Sequence, residues 1–66
     1  MKRLKISLKA ARVNANLSQE NVAKKMKKSK VTINNWENGK IEIDYGNLTE
    51  LCRLYSVTMD DIILPY

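Results

Sequence analysis

The sequence predicts an all-α domain of five short helices, and three observations carry that prediction. Apolar residues recur at helical spacing along the chain. Each apolar segment is preceded by a residue able to cap a helix: Ser7, Ser18, Ser29, Asp44 and Thr58. Nothing reads as a strand, because the alternation in Ile41-Glu42-Ile43 is too short.

The elements follow in order. Ser7 caps a first helix from Leu8 to about Asn14, with Leu8, Ala11 and Ala15 as its apolar stripe and Leu17 closing the corner. Asn16 ends it, since Asn tolerates the left-handed conformation. A second helix runs from its Ser18 cap to Met26, with Val22, Ala23 and Met26 at i, i+1 and i+4. Lys27-Lys28-Ser29 separates it from a third, which has Ser29 in front and Asn38-Gly39 behind. At about 100° per residue, Ile33, Trp36 and Glu37 of this third helix point inward. Val31, Asn35 and Asn38 point outward, flanked by Lys30 and Asn34. The loop Gly39 to Ile43 leads to Asp44, the cap of a fourth helix that buries Tyr45, Leu48, Leu51, Cys52 and Tyr55. Gly46 weakens the first turn of that helix by up to about 1 kcal/mol relative to Ala. Thr58 caps a fifth helix starting Met59-Asp60-Asp61, with two acids at its positive end and Pro65 as its stop.

Length and composition bound what this chain can be. Its 66 residues form a single domain, 1–66, without repeats or low-complexity segments. A domain this short buries only about 60% of its unfolded surface and gains from a partner subunit. The one cysteine, Cys52, excludes an intrachain disulfide and reads as an inert buried thiol. No histidine is present, which removes the commonest acid–base catalyst and metal ligand, and the two glycines do not form a phosphate loop. No enzyme chemistry, no metal site, no cofactor and no small-molecule ligand is expected. Neither a signal peptide nor a run of roughly 20 apolar residues stands in the sequence, so the expectation is a cytoplasmic protein. The net charge of +5 is unevenly spread. Residues 1–36 hold ten Lys and Arg against Glu20 alone, whereas residues 37–66 hold two against six Asp and Glu. A basic front with an acidic back suits a polyanion met by the front.

The third helix indicates which polyanion. Lys30, Val31, Asn34 and Asn35 are the side-chain types that read base edges in a DNA major groove: an ammonium for guanine, amides for adenine, a small apolar group for the thymine methyl. No acid points outward there, unlike an ordinary solvated face. Two short helices joined by a tight turn, the second with a polar reading face, form a helix-turn-helix. The signature Leu17-Ser18-Gln19-Glu20, Val22-Ala23, Val31-Thr32-Ile33 and Trp36-Glu37-Asn38-Gly39-Lys40 resembles the phage Cro and repressor type, also called Xre-like. The tail from Leu54 to Ile63 resembles the last two helices of that family, and the likeness covers roughly residues 7–64.

The resemblance implies a lambda-repressor-like domain with the helix-turn-helix at helices two and three. It implies a sequence-specific regulator of transcription that binds a double-stranded operator, most simply a small phage or prophage repressor, with an antitoxin on the same fold as the alternative. A membrane- or RNA-binding basic surface is the rival of another class. By the same resemblance Gln19 bonds a DNA phosphate, and Asn38 and Lys40 contact the backbone after the reading helix. Lys28, Ser29 and Lys9 complete the expected phosphate set. Glu37 pairs with an Arg of the first helix in the family, which makes Arg12 and Glu37 a structural ion pair here. Two-fold operators imply a homodimer, expected through Ile62, Ile63, Leu64 and Tyr66, with Ile41 or Ile43 as second choice. Two departures stand out. Lys27 occupies a turn position where the family often has left-handed Gly, at a cost on the order of 1 kcal/mol. Ile41-Glu42-Ile43 replaces a more basic loop, and Glu42 repels phosphate.

Overall fold

The computed structural model describes residues 4–66, so Lys2 and Arg3 of the basic front lie outside the described residues. Its elements are β1 (Ile6–Ser7), α1 (Leu8–Asn14), α2 (Gln19–Met26), α3 (Lys30–Asn38), α4 (Tyr45–Tyr55), a 3₁₀ turn (Met59–Asp61) and β2 (Ile62–Ile63). Among the described residues no helix is long and apolar enough to cross a membrane.

Four of the five predicted helices are present, each started by its expected cap. The hydroxyls of Ser7, Ser18 and Ser29 accept from the main-chain N–H of Ala10, Asn21 and Thr32, at 3.0, 3.0 and 3.1 Å. Asp44 accepts from the N–H of Asn47 at 3.2 Å and from its side-chain amide at 2.6 Å. Those two bonds, the side-chain one first, hold the Asp44 carboxyl below its usual range. The cap therefore contributes fully at neutral pH and weakens as pH falls through the lowered value. Left-handed residues end the helices: Lys27 (φ 56°), Gly39 (φ 75°) and Ser56 (φ 57°) close α2, α3 and α4, and Asn16 (φ 60°) follows α1. Lys27 keeps the backbone shape that favours glycine, as the departure from the family implied.

The fifth helix is not formed, which corrects the sequence reading. After the 3₁₀ turn the chain extends, and β2 pairs in parallel with β1 in the register Ile6 to Ile62 and Ser7 to Ile63. This pair also corrects the expectation of no strands. Ile62-Ile63 is a β-branched pair that favours extended backbone, and Ile62 gains burial in the core by leaving the helical path. Asp61 accepts from the N–H of Thr58 at 3.0 Å, closing the turn rather than leading a helix.

One core joins all the elements, with Leu8, Val22, Ile33 and Leu51 fully enclosed. Trp36, Cys52 and Tyr55 are buried with them, as read from the sequence. Tyr45 is not: at 74% exposure it corrects the predicted stripe. It is the first residue of α4, and Ile43, just before the Asp44 cap, fills the core at that end instead. The tail packs back over the end of α3. A Cβ on Gly39 would lie 3.1 Å from both Cβ and the carbonyl oxygen of Pro65, and the Tyr66 hydroxyl accepts from the N–H of Ile43 at 2.7 Å.

The left-handed cap at Lys27 yields a prediction. Lys27→Gly removes the Cβ penalty there and is expected to raise the unfolding free energy by about 1 kcal/mol. Urea denaturation checks it, and a lower midpoint would contradict the cap assignment.

Candidate nucleic-acid interface

Local chemistry sets the angle between α2 and α3. Ser18 and Asn21 form a reciprocal capping box at the start of α2. The N–H groups of Lys27 and Lys28 return to the carbonyls of Lys24 and Ala23, at 3.3 and 2.9 Å, which turns the chain sharply into the Ser29 cap. Ala23 is buried where the two helices approach, and Val22, Ile33 and Trp36 fill the space beneath. The outward face of α3 is thus carried on a rigid two-helix unit.

Beneath that unit lies a buried polar cluster. Arg12 Nε donates to Glu37 Oε2 at 2.7 Å, and a terminal nitrogen of Arg12 donates to Glu37 Oε1 at 3.3 Å. The other terminal nitrogen donates to the carbonyl of Leu17 at 3.0 Å. The side chains of Arg12 and Glu37 are only 10% and 4% exposed. The predicted ion pair therefore exists, and it links α1, the α1–α2 corner and α3. Gln19 adds a strand of this cluster that the sequence reading missed. Its Nε2 donates to Glu37 Oε1 at 3.0 Å and to Asn34 Oδ1 at 3.3 Å. The signal for it was the inward direction of Glu37, since a buried carboxylate needs more donors than one guanidinium edge supplies.

Tyr55 stands against the same cluster. Burial pushes its phenol well above the usual value, and the charge of Glu37 adds to the effect. It stays neutral and puts no competing charge beside the pair. Burial, with the charge of Asp61 second, pushes the Cys52 thiol up. That suppresses the reactive thiolate, consistent with a packing role.

The predicted base-edge residues share the outward side of α3. Val31 is 66% exposed, an unfavourable place for an aliphatic group in water. Lys30, in the first turn, has its Nζ 3.7 Å from a carboxylate oxygen of Glu20, and both side chains are exposed. Such a pair is worth at most about 1 kcal/mol. Asn34 and Asn35 are half-buried. Of the predicted phosphate-facing residues, Lys28 and Ser29 lie in the turn before α3, Asn38 and Lys40 on either side of Gly39, and Lys9 in the first turn of α1, all of them exposed. Ser29 spends its hydroxyl on the cap, and Gln19 turns both amide hydrogens inward. Of the four residues expected at a dimer interface, Ile62 is in the core of its own chain and Leu64 is partly buried against it. Ile63 and Tyr66 are about half exposed, as is Ile41, at 53%, 50% and 51%.

A family model described as helix-turn-helix matches residues 8–62. No curated protein and no solved structure matches the chain at a significant level.

The Lys30–Glu20 contact generates a prediction. Glu20 is the lone acid of the basic front half and would stand close to any phosphate that approaches Lys30. Glu20→Gln is expected to tighten duplex DNA binding several-fold while changing the unfolding free energy by less than about 1 kcal/mol. Fluorescence anisotropy and urea denaturation measure the two. Weaker binding would show instead that the carboxylate accepts from a base.

Proposed function

This chain belongs to the Xre-like helix-turn-helix family of DNA-binding regulators, and from that premise we propose that it is a sequence-specific repressor of the small phage or prophage type. The observation that carries the reading is the outward face of α3. An ammonium, an exposed Val and two amides stand on one side of a helix whose other side is locked into the body by Trp36 and the Arg12–Glu37 pair. A helix presented so rigidly suits the major groove, where position decides which edge each side chain meets.

In this reading Lys30 enters the groove first and donates to guanine O6 and N7. Val31 meets a thymine methyl, and Asn35, whose side-chain amide bonds to no other described residue, makes a two-point bond to adenine. Phosphates are met around the helix-turn-helix: by the main-chain N–H of Gln19 at the start of α2, by Lys28 and Ser29 in the turn, by Asn38 and Lys40 at the end of α3, and by Lys9 on the flank. The protein acts in the cytoplasm on its operator, as a homodimer that matches a two-fold site. The surface proposed for that dimer is the exposed part of the tail, Ile63 and Tyr66, extended by Ile41. The bond from Ile43 N–H to the Tyr66 hydroxyl draws these segments together.

Salt tests the electrostatic part of the proposal. With roughly 6–10 phosphate contacts per dimer, affinity is expected to fall by about 10³–10⁵ between 50 and 200 mM salt. A titration of duplex DNA across that range measures it. Affinity that barely moves would contradict docking of the basic front on phosphates.

A further inference from the structure

Asn34 sits beside the Arg12–Glu37 cluster, and its amide has a defined polarity. Amide oxygen and nitrogen are told apart by the partners they meet. Glu37, paired with Arg12, is a carboxylate and only accepts. The group that Gln19 turns toward it must therefore be the NH₂, at 3.0 Å. The second hydrogen of that same NH₂ reaches Asn34 at 3.3 Å, so Asn34 must turn its oxygen inward to accept it. Asn34 Nδ2 makes no hydrogen bond to any other described residue. It is the half of the amide left for a partner outside the chain.

We propose that Gln19 is a positioning residue that fixes Asn34 as a donor-only reader of base edges, and that the charge of Glu37 sets this polarity from beneath. The inference rests on α3 being the reading helix. An unrestrained Asn pairs with adenine by donating to N7 and accepting from N6. Asn34 has its acceptor engaged and offers only N–H. The edges that suit it are acceptors with no amino group beside them on the same base: guanine O6 and N7, or thymine O4. The two neighbouring amides of α3 thus differ in what they select. Asn35 serves adenine, while Asn34 serves guanine or thymine and disfavours adenine, whose N6 amino group would face a second donor.

Selection of bound duplexes from a random pool tests this, run on the wild-type protein and on Asn34→Ala, Asn34→Asp and Gln19→Met. The wild type is expected to enrich a defined site, and Asn34→Ala to relax one guanine or thymine position by on the order of tenfold. Asn34→Asp keeps an oxygen for Gln19 and turns an acceptor outward. It is expected to shift that position to cytosine or adenine. Gln19→Met frees the Asn34 amide to rotate and is expected to admit adenine at the same position. Circular dichroism verifies that each variant is folded, and Asn34→Asp carries the test should Gln19→Met not fold. If the position lost in Asn34→Ala is adenine in the wild type, or if Asn34→Asp leaves its base unchanged, the polarity assignment is wrong although the protein still reads DNA. If the wild type enriches no sequence, the reading of α3 itself fails, and this inference with it.

Discussion

The ion pair between Arg12 and Glu37 is the constraint on which the rest of this structure depends. Two charges taken from water lose several kcal/mol of hydration each, and their attraction repays this only with good geometry and further hydrogen bonds. Both conditions are met. The guanidinium uses two nitrogens on the carboxylate and a third on the carbonyl of Leu17, and Gln19 supplies another donor to Glu37. Lysine could not reproduce this, because its ammonium lacks the planar fork. The net contribution to stability over an apolar filling of the same volume is small or negative. What the pair supplies is geometry. It permits one placement of α3 against α1 and the α1–α2 corner, since any other leaves a buried charge unpaired.

A domain of this size needs such devices because its core is small. Trp36 and Ile33 anchor the inner side of α3, and Leu8 and Val22 meet them from α1 and α2. The chain ends add a second restraint. The pairing of Ile6 with Ile62 carries the C-terminal segment across the domain, and Pro65 and Tyr66 then rest on the loop behind α3. That helix is therefore held at its front by the Ser29 cap, along its inner side by Trp36 and Glu37, and at its back by the tail. A restrained helix loses little further freedom on binding, so more of its contact energy remains for discrimination.

The helical part of the fold was legible in the sequence because its signals are local. Ser7, Ser18, Ser29 and Asp44 each sit directly before an apolar stripe, and Gly39 directly after one. The region after Thr58 was not legible in the same way. Thr58, Met59, Asp60 and Asp61 spell a helix start, but the next residues are claimed by an edge more than fifty positions away, at Ile6 and Ser7. Only a contact between distant segments decides that contest, and no window contains both. Tyr45 misled for a related reason: periodicity says which side of a helix a residue occupies, not whether the core extends as far as its first residue. In the candidate site, Arg12 and Glu37 came from a family resemblance joined to the inward direction of Glu37. The link through Gln19 to Asn34 spans two helices and depends on side-chain reach, which spacing alone does not give.

A double-mutant cycle on Arg12 and Glu37, followed by urea denaturation, measures whether the pair holds α3 in place. Each single change to Ala leaves one buried charge without its partner and is expected to cost about 3–5 kcal/mol. The double variant is expected to be no less stable than the worse single variant, because removing the second charge relieves the penalty left by the first. Where a single variant does not fold, a folded double variant demonstrates the same coupling. Losses that simply add would mean that the two residues contribute independently and that the pair does not hold α3 in place.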